Sequence, residues 1–252
     1  GVYYGSQYGG AVASILLRLP GTPQSAVTTL DGYPMAQQGR AGVALFVSMI
    51  SSFIGSMIGI AVLVALSGVL SRAATAFGAA DYAAMMVLGL VAASTIGADR
   101  PVKGLAMVVL GMIVGCIGTD VNSGVQRFTF GQIPLMDGVN LVALAMGLFG
   151  VAEVIGSIRH AERTGRPPPV PLRSLVPSRD DLRRIPWPSL RGAGLGSFFG
   201  ALPGTGSTLS SFLSYGIEQR LSRTPERFGK GAVEGVAAPE SANNAAAITA
   251  FV

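Results

Sequence analysis

Two proline–glycine interruptions and one polar hexapeptide carry the chemistry that this sequence offers. The first interruption reads Leu19-Pro20-Gly21-Thr22-Pro23-Gln24-Ser25, and the second reads Leu202-Pro203-Gly204-Thr205-Gly206-Ser207-Thr208. Proline and glycine both break a helix. A helix that restarts after such a break offers unpaired backbone N–H groups and a partial positive end, which favours an anionic ligand. The hydroxyls of Thr22, Ser25, Thr205, Ser207 and Thr208 add donors at the same places, and unwound carbonyls can hold a cation. The hexapeptide is Pro239-Glu240-Ser241-Ala242-Asn243-Asn244, and an apolar stretch follows it. A carboxylate and two adjacent amides are costly in a bilayer unless they are paired or functional, and an amide can both donate and accept. The plain alternative is a polar helix start at an interface, capped by Ser241 or an asparagine.

Other residues that could react are few. The chain has one histidine, His160, and one cysteine, Cys116. That excludes an internal disulfide framework and Cys-rich zinc or iron–sulfur sites, and it leaves little room for His-based chemistry. An intramembrane hydrolase would need a nucleophile–base pair or paired aspartates, and the chain has no Gly-x-Gly-Asp. Glu153 reads as an intramembrane carboxylate, suited to a proton or cation or to an interfacial position. Asp81 and Asp99 fall at the ends of apolar runs. Cys116 falls inside one, where packing is its expected role. Trp187, near Pro186 and Pro188, reads as an interface anchor.

The elements that must position these groups follow from where the charges are. Of the 252 residues, 50% are hydrophobic and only 12% are charged, against about 25% charged in an ordinary soluble domain. So few charges do not cover a soluble surface, and the composition predicts a chain that faces lipid. Uncharged runs cover residues 1–17, 41–71, 82–98, 104–119, 138–152 and 192–217. A spanning helix needs roughly 20 mostly apolar residues. The run 41–71 is ample, and the next three reach that length with a charged residue at the interface. Glycines recur at four-residue spacing at 55 and 59, at 111 and 115, and at 192, 196 and 200, a pattern that lets helix backbones approach closely in lipid. The fold expected is an all-α polytopic membrane helical bundle.

Residues 159–191 form a proline-rich loop with eight arginines, and basic loops near helix ends face the cytoplasm. Tracing back from there, a helix near 138–158 runs inward and loop 120–137 is outside. A helix near 102–119 runs outward, one near 82–98 runs inward, and loop 71–81 with Arg72 is outside. The first long helix leaves the inside at Arg40. Inside then carries eleven Lys and Arg residues and outside two. This orientation accounts for the positive net charge without a nucleic-acid surface. Residues 192–217 have arginines before and after, so both flanks belong inside, and Pro203 and Gly204 interrupt their middle. A re-entrant hairpin satisfies both facts, whereas a kinked spanning helix would need an unusually basic outer loop. Non-helical backbone at membrane depth is tolerated only in protein or against a watery cavity, so a broken hairpin marks a site. The expected divisions are 1–158 as the first-repeat part, 159–191 as the basic cytoplasmic loop, and 192–252 as the start of a second repeat.

Leu-Pro-Gly-Thr occurs at both breaks, which suggests an internal repeat, and paired interrupted segments point to a secondary-transporter binding site. The segment 235–245, holding Glu240, also aligns loosely with residues 1–11, holding Tyr8, Gly9 and Gly10. With Leu30-Asp31-Gly32-Tyr33-Pro34, Gly39-Arg40-Ala41-Gly42, Phe228-Gly229-Lys230-Gly231 and Glu234-Gly235-Val236, these motifs strongly resemble the large membrane subunit of the tripartite tricarboxylate transporters. The resemblance runs over nearly the whole chain. It implies a subunit about twice this length with two homologous halves, so the chain reads as a fragment. It also implies a cation-coupled importer of carboxylates in the bacterial inner membrane, driven by Na+ or H+ with no cofactor. A periplasmic solute-binding protein feeds it, and a small membrane subunit accompanies it. Family substrates include citrate, dicarboxylates and aromatic acids. The substrate- and cation-binding positions it implies are Tyr8, Gly9, Gly10, Pro20, Gly21, Thr22, Pro23, Pro203, Gly204, Thr205, Gly206, Ser207, Thr208, Glu240, Ser241, Asn243 and Asn244. Arg18 stands where relatives often have Asn, and its expected role is to snorkel to the interface or to reach a substrate carboxylate. A non-transporting scaffold subunit is the other reading that packing glycines would serve.

Overall fold

The computed structural model of the chain describes residues 2–76, 78–95, 101–140, 143–144, 146–151, 155, 176–202 and 206–251. The helices among them are α1 (Val2–Leu17), α2 (Thr28–Met35), α3 (Ala41–Ala76), α4 (Ala79–Thr95) and α5 (Pro101–Gly115). Then come α6 (Arg179–Arg184), α7 (Pro186–Gly200), α8 (Gly206–Leu221) and α9 (Val233–Thr249), so the last part of the expected loop 159–191 is helical, started by the Ser178 cap and by Pro186 at a first helical position. A short antiparallel pair, β1 (Gly118–Thr119) with β2 (Gln126–Arg127), sits in the loop after α5. The all-α expectation holds. Glu153, His160, Asp99 and most of the basic loop 159–191 lie outside the described residues.

The core is built around α9, which packs on α1, α2, α3, α6, α7 and α8. Every residue of it from Val233 to Ala247 except Glu234 is buried. Its residues are small, so its neighbours approach to backbone distance. A Cβ added at Gly192 would lie 2.2 Å from the Ala238 carbonyl oxygen, and one at Gly196 would lie 2.2 Å from that of Ala242. A Cβ at Gly55 of α3 would lie 2.2 Å from the Ser241 carbonyl oxygen. The glycine spacing at 55/59 and 192/196/200 therefore marks two seams on α9, both running parallel to it. Gly111 and Gly115 share the spacing but have no atom within 4 Å of an added Cβ.

Pro239 lies inside α9 and Pro34 inside α2. Each lacks an N–H for the ladder. At the α2–α3 junction the turn Ala36–Arg40 widens to π geometry, and Gly39 takes φ 77. This region is pinned by Asp31, which is fully buried. Its Oδ1 accepts from the Gly231 and Ala232 N–H groups at 2.8 Å each, and its Oδ2 accepts from the Tyr215 hydroxyl at 2.9 Å. One carboxylate thus ties α2 to α8 and to the turn that starts α9.

Charge collects at one end of the bundle. Arg191 of α7 holds Glu218 of α8 through two contacts of 2.9 and 2.6 Å, a bidentate pair. Arg184 reaches Asp180 at 2.9 Å and Glu234 at 3.0 Å, and Arg40 reaches Asp181 at 2.7 Å. Asp181 also closes a reciprocal cap with Ser178 at the start of α6. Burial pushes the Asp181 carboxyl up, but Ser178 and the Arg40 guanidinium outweigh that and hold it below the ordinary value. The starts of α3, α7 and α9 and the end of α8 therefore share one end.

Elsewhere the surface is apolar. The outer half of α3 is bare, with Val64 77% and Val69 65% exposed, and α4 and α5 expose most of their large apolar side chains. Such a continuous apolar surface suits lipid, not water. Among the described residues, Thr28–Val69 is the one helical stretch long and apolar enough to cross a membrane, with mean hydropathy 2.3 over its best window. Three further expectations change. In the expected loop 71–81, residues 71–76 belong to α3, because nothing in Ser71–Ala76 stops a helix, and residues 79–81 belong to α4. The helix expected to reach 119 ends at Gly115, before Gly118 at φ 131. Cys116 follows that end and is exposed, so it does not pack inside the chain.

Two outcomes test this packing in the full-length protein in detergent. Gly196→Leu should destabilise by at least about 1–3 kcal/mol, the usual cost of overpacking, while Gly111→Leu should leave the melting temperature unchanged. Asp31→Ala should cost about 2–6 kcal/mol by orphaning two buried N–H groups at roughly 1–3 each, while Asp31→Asn keeps an acceptor for them and should cost less. Equal melting temperatures within either pair would contradict the corresponding contact.

Candidate functional site

The first break begins where α1 ends. Arg18 adopts φ 56, and its guanidinium lies over the Tyr33 ring, 5.4 Å from the centroid. Stacking on an aromatic face of its own chain, not snorkelling alone, sets its position. Pro20 is buried and Gly21 exposed. Gly10 of α1 packs onto the break: a Cβ at Gly21 would lie 2.9 Å from the Gly10 Cα, and a Cβ at Gly10 would lie 3.0 Å from Thr22 Oγ1. A single 3-10 turn, Pro23–Ala26, follows. The Ser25 hydroxyl accepts from the Thr22 N–H at 3.1 Å and donates to the Thr22 carbonyl at 2.8 Å. Thr22 Oγ1 is buried without a partner. Of the segment Tyr8-Gly9-Gly10, then, Gly10 makes the contact, Tyr8 is half-buried and Gly9 is exposed.

The second break lies between α7 and α8. Pro203, Gly204 and Thr205 are outside the described residues. Gly206 opens α8 at φ 49, with Ser207 and Thr208 half-buried in its first turn. The two breaks meet: the Thr208 hydroxyl donates to Gln24 Oε1 at 3.5 Å. One turn on, the Ser211 hydroxyl lies 2.8 Å from the Ser207 carbonyl and 3.3 Å from the Pro239 carbonyl, so α8 leans on α9 at the start of the polar hexapeptide.

Glu240 is 1% exposed. Its Oε1 accepts from the Thr28 hydroxyl of α2 at 2.5 Å, and its Oε2 accepts from the Ser52 hydroxyl of α3 at 3.4 Å. Asn244 Nδ2 donates to Ser52 Oγ and to the Glu240 carbonyl, both at 2.8 Å. A buried carboxylate held by hydroxyls and not by a cation is a group able to take a proton or a metal cation. Ser241 turns the other way. Its hydroxyl donates to the Ser189 carbonyl at 2.7 Å, and Ser189 donates to Ser51 at 3.0 Å, along the α7–α3 seam.

Asn243 is the residue that the fold leaves unanswered. It is 2% exposed, and neither amide atom has a hydrogen-bond partner. Asn244 Oδ1 has none either. Asn243 follows Pro239 by four residues, which puts it on the α9 face that meets α8. Buried amides in native structures are nearly always paired, so an unpaired one calls for a water, an ion or a ligand. Hydrogen bonds thus join Gln24 to Thr208, and Thr28, Ser52 and Asn244 to Glu240, while Thr22 and Asn243 carry buried polar atoms without a partner. No group of three His, Cys, Asp or Glu side chains able to hold a metal ion occurs among the described residues.

Thr28, Ser52 and Gln24 were not expected in the site from sequence. A signal for Ser52 was present: Ser48, Ser51, Ser52 and Ser56 fall on one face of an otherwise apolar helix, and all four are buried. Thr28 and Gln24 carry no such mark.

The chain resembles known proteins along its whole length. It is 46% identical over 253 residues to an Agrobacterium vitis protein described as "Uncharacterized 52.8 kDa protein in TAR-I ttuC' 3'region", covering 100% of this chain and 50% of that protein. It is 61% identical over 57 residues to a second Agrobacterium vitis protein, described as "Uncharacterized protein in TAR-II ttuC' 3'region", covering 23% of this chain and 24% of that one. The chain thus spans about half the length of the first relative. No solved structure matches it. The family match runs over residues 1–252: the chain belongs to the tripartite tricarboxylate transporter TctA family.

Proposed function

We propose that this chain forms part of the large permease subunit of a tripartite, cation-coupled secondary transporter. In this reading the subunit crosses the bacterial inner membrane several times. It imports tricarboxylates or related organic acids that a periplasmic solute-binding protein delivers, with a small membrane subunit beside it. The observation that carries the reading is a buried asparagine whose amide has no partner in the protein, on the helix that packs against α8, whose first turn meets the first Pro-Gly break. Hydroxyls and an amide donor suit a carboxylate substrate, and Glu240 supplies the negative charge that a coupling Na+ or H+ would neutralise. The bidentate Arg191–Glu218 pair, which joins the two free ends of the α7–α8 hairpin, supports a re-entrant path with both ends on the cytoplasmic side. Family membership favours transport over catalysis. A scaffold without transport would give the Asn243 amide no reason to be buried unpaired.

The test is uptake of labelled di- and tricarboxylates by the complete system in proteoliposomes. Asn243→Ala with Asn244→Ala should lower uptake roughly 10–100-fold, the equivalent of about 1–3 kcal/mol of lost hydrogen bonding, at unchanged subunit yield. Uptake at the level of the unsubstituted protein would refute the site.

A further inference from the structure

Two cavities flank the end of α8 at the charged end of the bundle, and the site above uses neither. The first is a cleft of about 470 Å³ between α6, the start of α7, the end of α8 and the start of α9. Its lining is charged but unequally so. Two of its arginines are committed: Arg184 to Asp180 and Glu234, and Arg191 to Glu218. Two more, Arg183 and Arg223, line the same cleft, are exposed, and pair with no carboxylate among the described residues. Four guanidinium groups against three carboxylates leave the cleft one positive charge in excess. Trp187 stands in the lining, 67% exposed.

The second cavity is an apolar furrow of about 200 Å³ between α4 and α8. Leu88, Val91, Phe212, Leu213 and Ile217 line it, and Arg220 stands at one end. The two cavities adjoin. Ile217 lines the furrow and Leu221 lines the cleft, and residues four apart on a helix are surface neighbours. A basic cleft that opens over one helical turn into an apolar furrow fits a ligand with an anionic head and a hydrocarbon tail. The surrounding surface is itself apolar, so such molecules are at hand.

We propose that these joined cavities bind one anionic phospholipid. Its phosphodiester engages Arg183 and Arg223, and one acyl chain crosses Leu221 into the furrow. The charge count favours this class. A phosphatidylglycerol head brings one negative charge, which balances the one in excess. A phosphatidylethanolamine head is neutral overall and would set its ammonium among arginines. Basic pockets between helices near a membrane surface are suited to anionic heads, and Arg presents paired N–H groups to phosphate. Inorganic phosphate shares the head chemistry but would leave the furrow empty.

The test is native mass spectrometry of the delipidated full-length subunit, titrated with phosphatidylglycerol, phosphatidylethanolamine or inorganic phosphate. One phosphatidylglycerol should bind more tightly than phosphatidylethanolamine. The double variant Arg183→Gln with Arg223→Gln should weaken it about thirty-fold, and Ile217→Ser should weaken it as well. Lys103→Gln, an equal loss of charge on α5, should leave it unchanged. Equal binding of both lipids, or an unchanged affinity in the double variant, would overturn the proposal. Inorganic phosphate that displaces phosphatidylglycerol, with Ile217→Ser without effect, would assign the cleft to a soluble phosphate and overturn the lipid.

Discussion

The constraint on which the rest depends is the burial of α9 on every side. A helix surrounded by other helices has no solvent to satisfy its side chains, and it cannot be wide. Both demands act on the neighbours as well as on α9. Where a helix must come close, it has to present glycine, as α3 and α7 do. Where α9 carries a polar side chain, a neighbour must present a partner, as Thr28, Ser52 and Ser189 do. The glycine seams and the serine face of α3 are two answers to one requirement. Asn243 stands out against that background: Glu240 and Ser241 are matched and Asn244 is matched through its nitrogen, but neither amide atom of Asn243 is.

The breaks gain their meaning from the same helix. A Pro-Gly interruption alone marks where a chain bends. Here the second opens α8, which packs on α9, and Gln24 and Thr208 link the first to it. Gly10 makes the first bend possible by letting Gly21 sit against the α1 backbone. The link between the breaks therefore runs through a helix, α8, that packs on the one carrying an unsatisfied amide. The ion pairs at the charged end and the Asp31 anchor hold the surrounding helices in register while leaving that region free of salt bridges among the described residues.

Local features were legible in the sequence and long-range ones were not. Pro and Gly act on their own backbone, so the breaks at 20–23 and after Gly200 could be read directly. Spacing shows which residues share a helix face, but not whether another helix covers it. That is why Gly192 and Gly196 pack against α9 while Gly111 and Gly115, at the same interval, face open space. Arg72 looked like a loop residue because charge signals an interface, yet nothing near it ends a helix. The contact between Thr28 and Glu240 joins residues 212 apart in sequence. Nothing in the composition around Thr28 distinguishes it from Thr29. Asp31 was visible only as part of the Leu30–Pro34 motif, and its donors Tyr215, Gly231 and Ala232 are assembled only by the folded chain.

Pro239 gives α9 a mechanical character of its own. Lacking an N–H, it leaves the Gly235 carbonyl without its ladder partner, so the helix is two stiff rods joined at a compliant point. The rod before the joint is fastened to Arg184 through Glu234. The rod after it carries Glu240, Asn243 and Asn244. The two rods are thus held by different means: the first by charge, the second by the glycine seams of α3 and α7 that close on Ser241, Ala242, Ala245 and Ala246.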